Sequence, residues 1–266
     1  MIGGTVGVVE ASNNPGFSAG DTVLGMFGWQ EYGLSDGTGL MKVDTRAVPM
    51  SAYLGSVGMP GVTAWYGLNR ICRPKAGETV LVSAASGAVG SVVGQLAKQA
   101  GCRAIGIAGG QEKCDYVVSE LGFDACIDHR RHGDVKSMAR ALREAAPNGI
   151  DGLFENVGGV CLDGALACMN PFGRIALCGL IAGYNGQDIA IHHVRALLVM
   201  RLELRGFIVS DHMADWPQAL RELGRGVATG KIKYRETIAE GLAAAPEAFI
   251  GLLQGRNFGK QLVKLA

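Results

Sequence analysis

The sequence lacks the features that define several classes of protein. Its 266 residues contain no apolar run of the roughly 18 residues that a membrane-spanning helix needs. Charges nearly cancel at a net +1, and no basic run is longer than Arg130 and Arg131, which argues against nucleic-acid binding. The first ten residues have neither a basic stretch nor the apolar core of a secretory signal. These absences predict a cytoplasmic protein with neither a membrane nor a nucleic-acid partner.

The seven cysteines form no disulfide or metal pattern. None belongs to a CxxC pair, and no histidine completes a zinc-binding spacing. An odd number at irregular spacing is typical of reduced thiols packed inside a cytoplasmic protein. His192 and His193 are neighbours, and adjacent side chains on a helix or strand point apart. We therefore expect no metal site.

Three zones follow one another along the chain. Residues 1–56 contain short strands and turns with little helical periodicity, and residues 231–266 have a mixed character. Between them, in residues 57–230, apolar runs alternate with helical patterns, and this alternation predicts a doubly wound parallel sheet of the α/β class. The predicted strands of this zone are residues 79–83, 103–108, 124–128, 152–155, 174–178 and 202–208, and its predicted helices are residues 89–100, 112–121 and 135–145.

A glycine-containing turn follows the first strand of the middle zone. Residues 79–83 (TVLVS) are apolar and rich in β-branched side chains, which indicates a buried strand. Set against the pattern GxGxxG, Ala85 takes the first glycine position, and Gly87 and Gly90 take the other two. Such a turn lets backbone approach a pyrophosphate, and the N-terminus of the following helix adds free N–H groups. Residues 79–101 are therefore predicted to bind a nicotinamide dinucleotide.

The end of the second strand distinguishes NADP from NAD. An NAD site usually has an acidic residue there, which accepts a hydrogen bond from the ribose 2′-hydroxyl. Residues 103–108 instead run into Gly109 and Gly110, and no carboxylate follows at once. The glycines leave room for a 2′-phosphate, and Lys113 supplies a cation. The sequence therefore favours NADPH as the coenzyme.

Several further motifs, in a fixed order, resemble one family. They are GMPGVTAWYGL (58–68), AASGAVGSVVGQLAK (84–98), EKC (112–114), FENVGG (154–159), GRIALCGLIAGYN (173–185), RGFIV (205–209), GKIKY (230–234) and NFGKQLVK (257–264). Together they resemble the zinc-free branch of the medium-chain dehydrogenases/reductases that contains prostaglandin reductase (leukotriene B4 12-hydroxydehydrogenase) and bacterial curcumin reductase-like enzymes.

The resemblance implies three regions and a set of cofactor-binding residues. Residues 1–56 would be part of a GroES-like substrate domain, residues 57–230 the NADP-binding Rossmann domain, and residues 231–266 a segment that returns to the substrate domain. The family's domain has a further N-terminal stretch, so this chain is expected to start inside it. The implied cofactor-binding residues are Thr63, Gly87, Ala88, Val89, Gly90, Lys113, His129, Asn156, Cys178, Gly179, Tyr184, Phe207, Ile208, Val209 and Asn257.

One of these positions departs from the family pattern. His129 stands where the family often has a tyrosine, and His129 and Arg130 are both able to donate to a 2′-phosphate.

The implied reaction is reduction of the carbon–carbon double bond of an α,β-unsaturated ketone or aldehyde. NADPH delivers hydride to the β-carbon, and negative charge then builds on the carbonyl oxygen. Tyr184 is the candidate catalytic donor to that oxygen, and the ribose 2′-hydroxyl of the coenzyme is the alternative.

Two other functions stay open at this point. One is an NADPH quinone oxidoreductase, which shares the glycine turn, and the other is a non-catalytic NADPH-binding protein with an incomplete substrate domain. The resemblance also implies a homodimer.

Overall fold

A computed structural model describes residues 1–265. The chain begins with an antiparallel three-stranded sheet of β1 (Ile2–Val8), β2 (Thr22–Gly28) and β3 (Met41–Lys42), with β2 in the centre. A helical stretch follows, in which α1 (Met59–Tyr66) continues into a π-helical segment, Gly67–Cys72. Almost all of this stretch is buried, and it leads directly to the main sheet.

The main sheet has six parallel strands. They are β4 (Thr79–Val82), β5 (Arg103–Ala108), β6 (Ala125–Asp128), β7 (Ile150–Glu155), β8 (Met169–Leu177) and β9 (Glu203–Gly206), and their order across the sheet is β6-β5-β4-β7-β8-β9. This order places β4 next to β7 in the middle, and the chain moves outward from β4 first to one side and then from β7 to the other. The predicted doubly wound α/β sheet is confirmed.

Helices cover both faces of this sheet. They are α2 (Gly90–Gln99), α3 (Gln111–Ser119), α4 (Val135–Ala145), α5 (Gly159–Leu166), α6 (Val194–Val199) and α7 (Trp216–Ala228). Side chains alternate along β4, so Val80 and Val82 join one core with α2 and α7, while Leu81 joins a second core with α4 and α5. The strand is fully buried for this reason, and its run of apolar residues is what a two-sided sheet requires.

The chain ends with a small parallel pair and one helix between its strands. These are β10 (Glu236–Glu240), α8 (Ala245–Leu253) and β11 (Lys260–Lys264). Gly259, just before β11, forms an isolated parallel bridge with Gly87, so the C-terminal segment lies against the glycine turn. Within residues 1–265, no helix combines the length and apolarity that crossing a bilayer requires.

Candidate functional site

The site lies where the strand order reverses. The carboxyl ends of β4 and β7 are adjacent, and the segments that leave them move apart to opposite sides of the sheet. Such a reversal opens a crevice at the carboxyl edge of a parallel sheet, where ligands of doubly wound proteins bind. The predicted glycine turn leaves β4 at this edge, and Asn156 follows β7 at the same edge.

The turn after β4 folds tightly on Ala84. Ala84 has a left-handed backbone, with φ of +49°, and its carbonyl accepts a hydrogen bond of 2.9 Å from the N–H of Gly87. A Cβ atom at Gly90 would lie only 2.4 Å from that carbonyl oxygen, so this position requires glycine. The helix α2 begins at Gly90, directly after Val89. The turn thus leads into a helix N-terminus, which attracts an anion.

Three basic side chains surround the end of β5, and we refer to Lys113, His129 and Arg130 as the cation cluster. A Cβ atom on Gly109 would lie 2.9 Å from His129 Nε2, and one on Gly110 would lie 3.1 Å from a guanidinium nitrogen of Arg130. Gly110 also has a φ of +98°, which favours glycine. The two glycines therefore make the room that the cation cluster occupies.

Asp128, at the end of β6, holds this arrangement together. Its Oδ1 accepts hydrogen bonds from the N–H of Gly110, at 2.7 Å, and from the N–H of Arg130, at 3.1 Å. Burial raises the pKa of this carboxyl, but the two backbone donors, together with the nearby His129 and Arg131, outweigh burial and hold the pKa below its usual value. The ionised carboxylate therefore ties the glycine pair of one strand to the cations of the next.

The local environment also shifts the pKa values of two members of the cation cluster. Burial and the nearby guanidinium of Arg130 lower the pKa of Lys113. Partial burial, together with Arg130 and Lys113, lowers the pKa of His129 below 6.5, although Asp128 acts in the opposite direction. Mutual repulsion of this kind is relieved by an anionic ligand. A phosphate group fits this cluster.

The C-terminal segment closes over the same region. Lys113 Nζ donates to the carbonyl oxygen of Gly255 at 2.8 Å, just after α8. Asn257 donates through Nδ2 to the carbonyl of Gly259, at 2.7 Å, and Gly259 is the residue that bridges to Gly87. The predicted residues Gly87, Lys113 and Asn257 thus meet along one segment.

A second group of predicted residues meets at the end of β7. Asn156 donates through Nδ2 to the carbonyl oxygen of Ser83 at 2.7 Å, and its Oδ1 accepts from the thiol of Cys178 at 2.9 Å. A Cβ atom on Gly179 would lie 3.1 Å from the carbonyl oxygen of Asn156, so the two segments are in close contact. Burial raises the pKa of Cys178 to about 12, so its thiol is neutral. Asn156, Cys178 and Gly179 therefore form a compact wall of uncharged residues.

The remaining predicted residues are spread around this wall. Thr63 is 8% exposed on α1, and its hydroxyl donates to the carbonyl of Met59 at 2.8 Å. Tyr184 is 70% exposed on a short helical turn, Ile181–Asn185. Phe207 packs against Tyr66 with ring centroids 5.5 Å apart. Ile208 is exposed and Val209 is buried. Within residues 1–265, neither Thr63 nor Tyr184 forms a hydrogen bond to another predicted residue.

Sequence reasoning missed the acidic and hydroxyl groups that organise these segments. Asp128 was not predicted to have a role, nor were Ser83 and Glu155, whose hydrogen bonds join the turn after β4 to the end of β7. The available signal was a carboxyl group at the end of an apolar strand, since buried carboxyl groups need partners. Among the described residues, there is no group of three or more His, Cys, Asp or Glu side chains that could hold a metal ion.

Comparison with known proteins assigns the chain to a family. The model of the family described as zinc-binding dehydrogenase matches residues 88–225, and that described as the N-terminal domain of oxidoreductase matches residues 1–43. The chain is 45% identical to the NADPH-dependent curcumin reductase of Escherichia coli (strain K12) over 273 aligned positions, which cover 100% of this chain and 78% of that enzyme. It is 44% identical to the 2-alkenal reductase (NADP(+)-dependent) of Nicotiana tabacum, with 100% of this chain and 77% of that enzyme covered.

A solved structure agrees with these relatives. The crystal structure of CurA from Vibrio vulnificus in complex with NADPH superimposes with a TM-score of 0.91 and 45% identity, and it covers 100% of this chain and 80% of that one. The branch predicted from the motifs is confirmed. The chain therefore belongs to the zinc-binding dehydrogenase family of medium-chain dehydrogenases/reductases, in the branch of the curcumin and prostaglandin reductases.

Proposed function

We propose that this protein is an NADPH-dependent reductase of the carbon–carbon double bond of α,β-unsaturated ketones and aldehydes, and that it acts without zinc. The observation that carries the coenzyme assignment is the cation cluster beside Gly109 and Gly110, because an NAD site would have a free carboxylate there. The reaction class follows from the relatives, whose names specify NADPH-dependent reduction of curcumin and of 2-alkenals. The absence of zinc from the reaction rests on membership of this branch.

Different residues of the site would bind different parts of the coenzyme. The turn of Gly87, Ala88, Val89 and Gly90 would hold the pyrophosphate through backbone N–H groups, and the cation cluster would hold the 2′-phosphate. The nicotinamide half would lie along the wall near Asn156. The other residues proposed to line that half are Thr63, Cys178, Gly179, Tyr184, Phe207, Ile208 and Val209, with Asn257 closing from the C-terminal segment.

The proposed domain division places the substrate beside the wall near Asn156. Residues 57–230 would bind the coenzyme, and residues 1–56 and 231–266 would form the substrate side. The bridge between Gly87 and Gly259 supports this division, because it brings the C-terminal segment to the coenzyme turn.

The chemistry requires hydride and a donor to oxygen. NADPH, when bound, supplies the hydride. The chain then has to stabilise the negative charge that develops on the substrate carbonyl oxygen. Tyr184 is the proposed donor, because its hydroxyl is exposed on the turn Ile181–Asn185. The N–H groups of Ile181 and Ala182 donate to the carbonyl oxygens of Asn156 and Val157, and this contact between the turn and the segment after β7 supports the proposal.

A substrate panel tests the proposal. Purified protein is mixed with NADPH and an enone, an enal or a quinone, and coenzyme oxidation is followed by absorbance, with NADH as the matched control. We expect turnover of enones and enals with NADPH and much slower turnover with NADH. Faster reduction of quinones than of every enone and enal would indicate a quinone oxidoreductase. NADPH binding without turnover of any substrate would indicate a non-catalytic protein.

We further infer that the protein is a cytoplasmic homodimer. Within the described chain β9 pairs on one side only, with β8, so it is an open edge of the main sheet. The neighbouring α6 exposes Val194, Leu198 and Val199, and Leu198 is 79% exposed. A second copy would cover both the edge and this apolar surface. In sedimentation, Leu198→Asp should shift the protein to a monomer, while the control Leu34→Asp, at a 99% exposed position in a loop, should not.

A further inference from the structure

A buried carboxyl group lies at the centre of the site and has no role in the reaction proposed above. Glu155, the last residue of β7, is 0% exposed. Its Oε1 accepts three hydrogen bonds, from the hydroxyl of Ser83 at 3.0 Å and from the N–H groups of Val157 at 2.6 Å and Gly158 at 2.7 Å. Its Oε2 is buried and has no partner among residues 1–265. The side chain is therefore held through one oxygen.

The hydrogen bonds of Glu155 extend to both halves of the site. On one side, the Ser83 hydroxyl that donates to Glu155 also accepts from the N–H of Asn156 at 2.7 Å, which fixes the start of the turn after β4. On the other side, the main-chain carbonyl oxygen of Glu155 accepts hydrogen bonds from the N–H groups of Cys178, at 3.0 Å, and Gly179, at 3.3 Å. One residue thus joins the pyrophosphate turn to the segment that lines the nicotinamide half.

We propose that Glu155 is a positioning residue, which aligns the pyrophosphate turn with the nicotinamide-lining segment without touching coenzyme or substrate. The inference rests on the proposed function, because alignment matters only if hydride is transferred across this wall. Hydride transfer depends steeply on the placement of the donor carbon, whereas coenzyme affinity comes mainly from the phosphate contacts. Loss of Glu155 should therefore reduce kcat more than NADPH affinity.

The hydrogen bonds of Glu155 determine which variants are informative. Burial raises the pKa of this carboxyl, and its hydrogen bonds with Gly158, Val157 and Ser83 only partly oppose that effect. The side chain accepts through Oε1 alone, and glutamine offers one carbonyl acceptor at the same reach. Glu155→Gln should therefore preserve the alignment. Glu155→Ala removes the acceptor and leaves the Ser83 hydroxyl and two buried N–H groups without it.

The experiment compares kcat, the Kd for NADPH and the primary isotope effect with 4-deuterated NADPH. For Glu155→Ala we expect kcat to fall about tenfold or more, Kd to change by less than about threefold, and the isotope effect to rise as hydride transfer becomes rate-limiting. Glu155→Gln should restore kcat and the isotope effect to near the wild-type values. If Glu155→Ala does not fold, Ser83→Ala provides the same test, since it removes the hydroxyl link and should lower kcat in the same way.

Asp163 provides the matched control. Its carboxyl is also buried, at 1% exposure, but it accepts from the N–H groups of His192 and His193, away from both segments of the site. Asp163→Ala should lower stability and leave the isotope effect unchanged. The inference is overturned if Glu155→Gln is as damaging as Glu155→Ala, if Ser83→Ala has no effect on kcat, or if Asp163→Ala reproduces the kinetic change. A wild-type protein without NADPH-dependent turnover would instead overturn the proposed function, and the inference with it.

Discussion

Reversing the charge of Lys113 should remove the preference for NADPH. Lys113 lies in the first turn of α3, beside Arg130 and His129, where a 2′-phosphate would relieve the repulsion between Lys113 and Arg130 and favour protonation of His129. In Lys113→Glu, loss of a charge-assisted hydrogen bond costs about 1.5–3 kcal/mol. A carboxylate roughly 4 Å from the phosphate adds up to about 4 kcal/mol of repulsion at an effective dielectric constant of about 20, and solvent reduces this at a half-buried site.

The expected total is about 3–5 kcal/mol, and about 1.4 kcal/mol corresponds to a factor of ten. We therefore expect kcat/KM for NADPH to fall by roughly 10²- to 4 × 10³-fold. NADH has no 2′-phosphate, so its kcat/KM should stay within about threefold of wild type. The NADPH/NADH preference should then be largely lost.

The assay measures kcat/KM with both coenzymes at a fixed enone concentration, together with Kd values from coenzyme fluorescence. Lys136→Glu is the control, because it makes the same charge change at an exposed residue in the first turn of α4. Its preference for NADPH should be that of wild type. An unchanged ratio of kcat/KM for NADPH to that for NADH in Lys113→Glu would refute the assignment of this lysine to the 2′-phosphate. An equal fall of this ratio in Lys113→Glu and Lys136→Glu would show that the effect comes from net charge alone.

Three further changes test other parts of the site. Gly90→Ala places a Cβ 2.4 Å from the Ala84 carbonyl oxygen. The substitution should therefore lower the free energy of unfolding by about 1–3 kcal/mol, measured as a lower Tm, and weaken NADPH binding. Gly133→Ala, with open space around it, should change neither the Tm nor the binding. The pKa of His129 is below 6.5 in the free protein and rises when a phosphate binds, so NADPH binding takes up a proton. Affinity for NADPH should therefore fall more steeply between about pH 6 and 8 in wild type than in His129→Asn, and equal slopes would contradict this. Tyr184→Phe should lower kcat on an enone by about tenfold, which is about 1.4 kcal/mol, and a rate close to wild type would assign the role to the ribose hydroxyl or to water.

The sequence predicts those elements whose pattern is set by one solvent-exposed face or one buried run. The predicted bounds of β5 and α4 agree with the structure. β5 is a buried apolar run, and α4 alternates buried and polar residues at helical spacing. Helices α1 and α5 were not predicted, since nearly every residue in them is buried and no polar face reveals the period. For α7 the pattern was present, with Ala219, Leu223 and Gly226 on one buried face, and the helix could have been predicted.

For the site, the sequence identifies residues that recur in motifs but not the groups that hold them in place. Gly90 is readable because a close backbone approach admits only glycine. The sequence signals that Glu155 needs partners, but it does not show that one of them is Ser83, which only the sheet order brings next to it; Val157 and Gly158 follow it directly in the chain. Polar networks of this type depend on tertiary contacts, whereas turns and helix termini depend on local sequence.

Asp128 shows how the structure changes the interpretation of coenzyme choice. A carboxylate in this region binds a ribose hydroxyl in an NAD site. The Oδ1 of Asp128, however, already accepts from the N–H groups of Gly110 and Arg130, and its Oδ2 lies 3.6 Å from the guanidinium of Arg131. The carboxylate of Asp128 therefore fixes the glycine pair and orients Arg130, and it is not free to bind a ribose hydroxyl. Preference for NADPH therefore depends on a carboxylate as well as on the cations, and Asp128→Asn should weaken NADPH binding even though it removes a negative charge, because one anchoring acceptor becomes weaker.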